Sequence, residues 1–305
     1  MSKSNWMHGK RLKMLTMFMV LFALAAVCVL MYFVLFGIND YQGITKAEAA
    51  KLIAGACADD ESFKEMNNQQ EWYSGYVSFA ADNGYMKPDN AQKELTVGDV
   101  KMFLQKVGVS AQEAGIDLSG KDSMAVKKND FLNAYIRLLN RMEYGSSVTS
   151  IQTTIVGTPS NVGNASEWQA YTDDGVMHFA GLALDYALDK SASLVVRGNE
   201  ILCVQNVTDE AVLTNAWVVS GRGTTLSVFV GGVKREYKVN RLSQDIENVM
   251  ADIRLNDGKV KAVDVKTDTI SGKVLSADNT YIEIEGYGKV PLDKKYKIYR
   301  TYGEP

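Results

Sequence analysis

The run MLTMFMVLFALAAVCVLMYFVLFG, from Met14 to Gly37, constrains this chain more than any other stretch. Thr16 and Cys28 are its only mildly polar side chains before the glycine. As a helix it would be roughly 35 Å long at about 1.5 Å per residue, enough to cross the hydrocarbon core of a bilayer. Lys3, Lys10, Arg11 and Lys13 precede it, and the first acid is Asp40. Basic flanks stay in the cytoplasm, so residues 1–13 are predicted as a cytoplasmic tail and 14–37 as an uncleaved, single-pass signal anchor in the lipid bilayer. The remainder is then extracytoplasmic. A cleaved signal peptide fits less well. Its apolar core spans about 7–15 residues and is followed by a small-x-small site, which FGINDYQG lacks.

Charge and cysteine content narrow the partners. After residue 13 the chain has 29 basic and 36 acidic residues, a formal charge of −7. Nucleic-acid binding relies on basic surface, so nucleic acid is excluded as a partner. Three cysteines cannot make a disulfide framework. Cys57 and Cys203 are expected in separate domains, each as a small buried residue.

Two shifts in composition divide the exported part. Residues 40–144 carry helical patterns and are read as a helical domain. GSSVTS and GTPSNVGNAS, within 145–166, are rich in Gly, Ser, Asn and Thr and are read as a linker. The chain then becomes β-rich, with one β module over 167–241 and a second over 242–305.

A weak repeat runs through the helical part. ITKAEA (44–49), LTVGDV (95–100) and VKKNDF (126–131) each place an apolar residue first and an acid fifth, then open an apolar helical run. Helix capping explains the pattern: Thr45 caps with Glu48, and Thr96 with the shorter Asp99. Between the first two copies, Trp72, Tyr76 and Phe79 fall on one helical face, and Asn83-Gly84 suits a left-handed C-cap.

These phrases resemble S-layer homology repeats: an aromatic-anchored helix, an NG turn, a loop ending in proline, then a helix opened by a threonine-basic-small-acid signature. Lys46 and Lys128 stand at the basic position, and Val97 replaces it in the second copy. The resemblance implies binding of a cell-wall polysaccharide. Trp72 and Tyr73, with Lys46 and Lys128, are the candidate wall-polymer-binding residues, since aromatics stack on sugar faces and lysines pair with anionic polymers. The spacing of Trp72 and Tyr76 also fits a helical core.

The β part reads as consecutive hairpins turning at Arg197-Gly198-Asn199, Gly231-Gly232, Asn256-Asp257-Gly258, Asp278-Asn279 and near Gly286, in small barrels or sandwiches. LSQDIENVM (242–250) is expected as a connector helix. The phrases RGNEI, TNAWVV and IRLNDGKVKAVDVKTDTISGKVL, with the order of parts, resemble the region before the catalytic domain in membrane-anchored members of the stage II sporulation protein D (SpoIID/LytB) family. That family implies cleavage of peptidoglycan glycan strands or stimulation of wall amidases. Its catalytic glutamate would belong to a domain expected beyond Pro305, so lytic transglycosylase activity is expected only if such a domain follows.

The chain itself offers little chemistry. It has two histidines, His8 and His178, and no Cys/His cluster for zinc. His178 in GVMHFAGL is expected as a packed strand residue. SGRGTT lacks the GK[ST] ending of a phosphate loop. The acids of ADDES and YTDDGV are expected in solvated loops, where carboxylates stay ionised rather than acting as general acids. No catalytic residue, metal or cofactor is assigned. The expected fold class is a transmembrane helix, an S-layer-homology-like helical domain and then all-β modules. The expected role is the non-catalytic stalk of a peptidoglycan-associated envelope protein or, alternatively, a self-contained wall-polymer binder. Cleavage of glycan strands through an unrecognised acid pair is the third reading.

Overall fold

The computed structural model describes residues 43–67, 71–293, 296 and 298. The described chain divides into two compact units. One takes the residues up to Lys46 together with Gln92–Arg137, and the other takes Ala47–Ala91 together with the chain from Leu138 onward. The helices are α1 (Lys46–Cys57), α2 (Asp60–Met66), α3 (Ser74–Asp82), α4 (Val97–Val107), α5 (Ala111–Ala114) and α6 (Lys128–Arg137).

The first unit is built on the repeat. The residues ahead of each capped helix meet through antiparallel bridges, Gly43 with Lys127, Thr45 with Glu94 and Thr96 with Ala125. Leu95 N donates to Ile44 O (2.7 Å) and Val126 N to Leu95 O (2.9 Å). Ile44, Leu95 and Val126, the apolar first residues of the three copies, are all buried. The repeat thus packs three equivalent segments around one centre. Thr96 and Asp99 form the expected capping box of α4, and Gly108 ends that helix in the left-handed conformation. Phe103 of α4 and Phe131 of α6 pack with ring centroids 5.9 Å apart.

The second unit is mainly β. Strands β1 (Val148–Gly157), β2 (Gln169–Thr172), β3 (Gly175–His178), β4 (Ser191–Arg197) and β5 (Glu200–Thr208) close a barrel in the order β1-β2-β3-β5-β4. β1 returns to pair with β4 over seven residues, and β3 meets β5 in parallel at a single pair, His178 with Glu200. This is a five-stranded Greek-key barrel of the OB type. Its interior is filled by Ile155, Ala170, Phe179, Leu184, Leu194 and Ile201, so it is a packed core with no channel.

A second antiparallel sheet follows, of β6 (Glu210–Arg222), β7 (Thr225–Val230), β8 (Val233–Lys238), β9 (Ile246–Asn256) and β10 (Lys259–Val265), in the order β10-β9-β6-β7-β8. Its apolar face packs with Val156 and Tyr171 of the barrel in one shared core. Arg235 Nη2 and Tyr237 OH both donate to Asp189, each at 2.7 Å, and bind β8 to the loop before β4. Strands β11 (Val274–Ala277), β12 (Tyr281–Ile284) and β13 (Gly288–Pro291) form a three-stranded meander. The hairpins turn where the glycines predicted. Gly231 and Gly232 have φ of 60° and 85°, as a two-residue loop demands, and a Cβ on Gly231 would come within 2.1 Å of Thr172 O.

Several expectations are corrected. The described residues are 38% strand and 25% helix, and no helix among them is long and apolar enough to cross a membrane. The predicted anchor, 14–37, lies outside the described residues. The helices do not form one domain over 40–144, because α2, α3 and all of α1 beyond Lys46 belong to the β-rich unit. The stretch 145–166 begins the barrel with a 3-10 turn and β1. Residues 246–250, expected in a connector helix, lie in β9, where pairing with central strand β6 outweighs their helical pattern. Cys57 and Cys203 are both buried, as expected, but share the second unit.

Candidate functional site

The four candidate binding residues divide between the units: Lys46 and Lys128 lie in the first, Trp72 and Tyr73 in the second. Lys46 is buried, and its ammonium stands 3.0 Å from Asp99 Oδ2. It joins the basic position of the first repeat copy to the acid of the second, and is therefore part of the core rather than a contact for a polymer. Burial would raise the Asp99 carboxyl, but hydrogen bonds from Thr96 and Lys46 outweigh it and hold the group below its ordinary value. Lys128 is half-buried at the start of α6.

Trp72 and Tyr73 precede α3, half-buried and edge to face with ring centroids 5.6 Å apart. Tyr76, one turn on, is fully buried and packs against Phe63, so the core reading holds for Tyr76. Trp72 lies elsewhere. Its indole rests on the backbone of Gly181, where a Cβ would come within 2.3–2.4 Å of ring atoms. Gly181 has φ of 78°, so the position suits glycine for its backbone as well as for the indole.

Gly181 follows the end of β3 and the strongest electrostatic feature of the second unit. Lys51 of α1 is fully buried. Its ammonium donates to Ala180 O (2.8 Å), just past β3, and to Ile201 O (2.9 Å) in β5. It also forms an ion pair with Glu200 Oε1, a buried oxygen whose contact lacks hydrogen-bond alignment. Glu200 Oε2 in turn lies 2.5 Å from His178 Nδ1. One lysine thus bridges the two strands that share a single backbone pair. Burial pushes the Lys51 amine below its ordinary value, and the Glu200 carboxylate opposes that shift. Burial, and then the same carboxylate, pushes the Tyr76 phenol up.

A second cation ties α1 to the barrel from the opposite direction. Arg197 of β4 donates through Nη1 to Ala58 O (2.8 Å), Gly55 O (3.2 Å) and Ala54 O (3.4 Å), the carbonyls at the end of α1. Its Nη2 reaches Asp60 Oδ1 at 2.6 Å. A guanidinium, a cation with several donors, is well matched to the carbonyls at a helix C-terminus. These two anchors are the physical reason why α1 belongs with the β-rich unit.

The chemistry available at this rim follows from the chain of contacts. The Nδ1 edge of the His178 ring faces Glu200 Oε2 within hydrogen-bond reach. The His178 side chain is 39% exposed, while Glu200 beneath it is 4% exposed. The imidazole is therefore held by groups that cannot themselves meet solvent. Phe179, next in the chain, takes the edge of Trp168 at 5.7 Å, and Phe179 N donates to Trp168 O (2.8 Å). Segment 178–181 thus lies between two tryptophans, with an oriented histidine at one end.

The sequence reading placed His178 as a packed strand residue; it is instead an exposed end on a buried ionic chain. The available signal was Lys51 itself, a lysine inside the otherwise apolar run AAKLIAGA. Of the acids in ADDES, Asp59 caps α2 by accepting from Ser62 N (2.9 Å) and Oγ (2.7 Å), and Asp60 meets Arg197. Among the described residues, no group of three or more His, Cys, Asp or Glu side chains is placed to hold a metal ion. No family model, no curated protein and no solved structure matches this chain.

Proposed function

We propose that this protein is a non-catalytic, wall-polymer-binding protein of the cell envelope, and that the barrel rim at Trp72 and His178 contacts the polymer. One observation carries the reading. Trp72 is spread on Gly181, three residues along the chain from an imidazole held by the buried pair Glu200 and Lys51. An aromatic surface beside a fixed hydrogen-bonding group is what a sugar ring requires: an apolar face to stack on and a partner for a hydroxyl. In five-stranded barrels of this type, the face of strands 2 and 3 and loops 1–2 and 4–5 bind oligosaccharides and oligonucleotides. Here those parts contribute His178, Trp168 and Asn199, and the excess of acids in the chain favours a saccharide over a nucleic acid. This support is an analogy at the level of fold.

The three-copy centre of the first unit supports the likeness to S-layer homology repeats, with Lys46 serving its packing. The apolar run 14–37 behind four basic residues supports an extracytoplasmic, membrane-associated location. The likeness to the region preceding the catalytic domain of stage II sporulation protein D relatives supports a role as a stalk near peptidoglycan. The test is co-sedimentation of the full-length protein, in mild detergent, with purified cell walls. Retention at both low and moderate salt is expected; a protein left wholly in the supernatant at low salt would sink the reading.

A further inference from the structure

We infer that Gln169 is a further ligand-contact residue of the barrel rim, one that donates its carboxamide N–H to a neutral acceptor on the polymer, such as the carbonyl of an acetamido sugar. The inference rests on the rim reading above and deepens it by naming the group recognised. Gln169 opens β2 and is the registered partner of His178 on β3. The next pair in that ladder, Ala170 and Met177, belongs to the barrel core. Side chains alternate along a strand, and directly opposite residues share a face, with β-carbons about 4.5–5.5 Å apart. Gln169 and His178 therefore stand side by side on the outer face, both partly exposed.

The carboxamide is fixed in one orientation. Ser166 N donates to Gln169 Oε1 at 3.0 Å, and Gln169 N donates back to Ser166 O at 3.1 Å. A backbone N–H can bond only the oxygen end of the amide, so the nitrogen end is left for another partner. Among the described residues Gln169 Nε2 makes no hydrogen bond. The turn that Gln169 closes, 166–169, is itself tied to β3 at the residue after His178. Trp168 O accepts from Phe179 N (2.8 Å), and the two rings meet edge to face at 5.7 Å. Trp168 has φ of 65° at the third position of the turn, a conformation that glycine takes more readily. A bulky residue held there is a backbone outlier, and such outliers concentrate where a segment is shaped for a ligand.

The groups around the amide favour a neutral acceptor over an anion. Glu167, inside the same turn, is exposed and repels negative charge. The buried Lys51 ammonium is matched by Glu200, so it leaves no net positive charge beneath this face. The amide nitrogen donates and does not accept, so a cationic amine gains nothing from it. An acyl carbonyl meets both conditions, being uncharged and able only to accept. No bond is made or broken in this assignment.

The test is calorimetric titration of the full-length protein, in mild detergent at neutral pH, with the β-1,4-linked tetramer of N-acetylglucosamine and with that of glucose, both uncharged. The acetylated tetramer is expected to bind about tenfold more tightly, the upper end for a neutral hydrogen bond. Gln169→Glu keeps an oxygen for Ser166 N but loses the donor. It should weaken the acetylated tetramer about tenfold and leave the glucose tetramer within about twofold, so that the preference disappears. Equal affinity of the parent for the two tetramers, or binding of neither, overturns the inference even where Gln169→Glu fails to fold. Equal weakening of both tetramers in the variant also overturns it, since Gln169 then only holds its turn. Wall retention is read separately. The rim reading falls if walls do not retain the parent, and it stands if they do while the tetramers show no preference.

Discussion

Lys51 and Glu200 meet as a buried ion pair at the seam where β3 and β5 close the barrel. The seam has a single registered backbone pair, and the lysine compensates by donating to carbonyls on both of its sides. Removing one partner of such a pair leaves the other charge buried and uncompensated, at a cost of about 3–5 kcal/mol. Lys51→Met should therefore lower the stability of the β-rich unit by that order in urea titrations. The double variant Lys51→Met, Glu200→Gln should recover part of the loss. A single variant as stable as the parent would mean that the seam does not depend on the lysine.

Arg197 offers a different contrast, between shape and charge. Its fork reaches three carbonyls of α1 and the Asp60 carboxylate at once. Lysine keeps the charge but not the planar fork, so Arg197→Lys should cost about 1.5–3 kcal/mol, the range for lost charge-assisted hydrogen bonds. Hydrogen exchange is the sensitive readout: amides of residues 54–58 should lose protection before those of β1 and β4. Uniform loss across the unit would assign Arg197 to global stability instead.

Gly181 carries two demands, and Gly181→Ala violates both. A β-carbon in the left-handed conformation costs roughly 1–2 kcal/mol. It would also displace the Trp72 indole, whose atoms would lie within 2.3–2.4 Å. The expected result is a modest loss of stability together with a red shift in tryptophan emission, since the displaced ring gains water. An unchanged emission spectrum would show that Trp72 tolerates the methyl group and does not rest where the structure has it.

In the first unit, acid should act through Asp99. Its folded-state carboxyl lies below the ordinary value, so its contribution is present in full above the unfolded value of about 4. That contribution fades as pH falls through the lower folded value. Stability measured across this window should drop in the parent and fall less steeply in Asp99→Asn, which no longer titrates and already lacks its ion pair with Lys46. Parallel pH profiles would remove Asp99 as the source.

Local features of the fold were legible in the sequence where a single residue type decides the geometry. Gly231-Gly232 and Asp257-Gly258 mark their hairpins because few other residues accept positive φ there. Thr96 and Asp99 mark a helix start because their side chains bond their own backbone. Partnership across the chain was not legible. The helical pattern of α1 says that one face is buried, but not that the covering surface is a barrel wall beginning nearly a hundred residues later. Residues 246–250 read as helix because their strand identity comes from β6 beside them. The site divides in the same way. Trp72 stood out by its type, whereas Lys46 was misread because its partner Asp99 lies in another repeat copy. His178 was passed over because Lys51 and Glu200, which hold it, are far away in sequence.

The most direct measurement is the affinity of the full-length protein for purified cell walls, compared among the parent, Trp72→Ala and His178→Gln. If the rim is the contact, both variants should remain folded by circular dichroism and bind about tenfold or more weakly, a stacking contact being worth roughly 1–3 kcal/mol on the scale known for ring stacking on aromatic side chains. Walls that retain the parent and both variants equally would contradict the account.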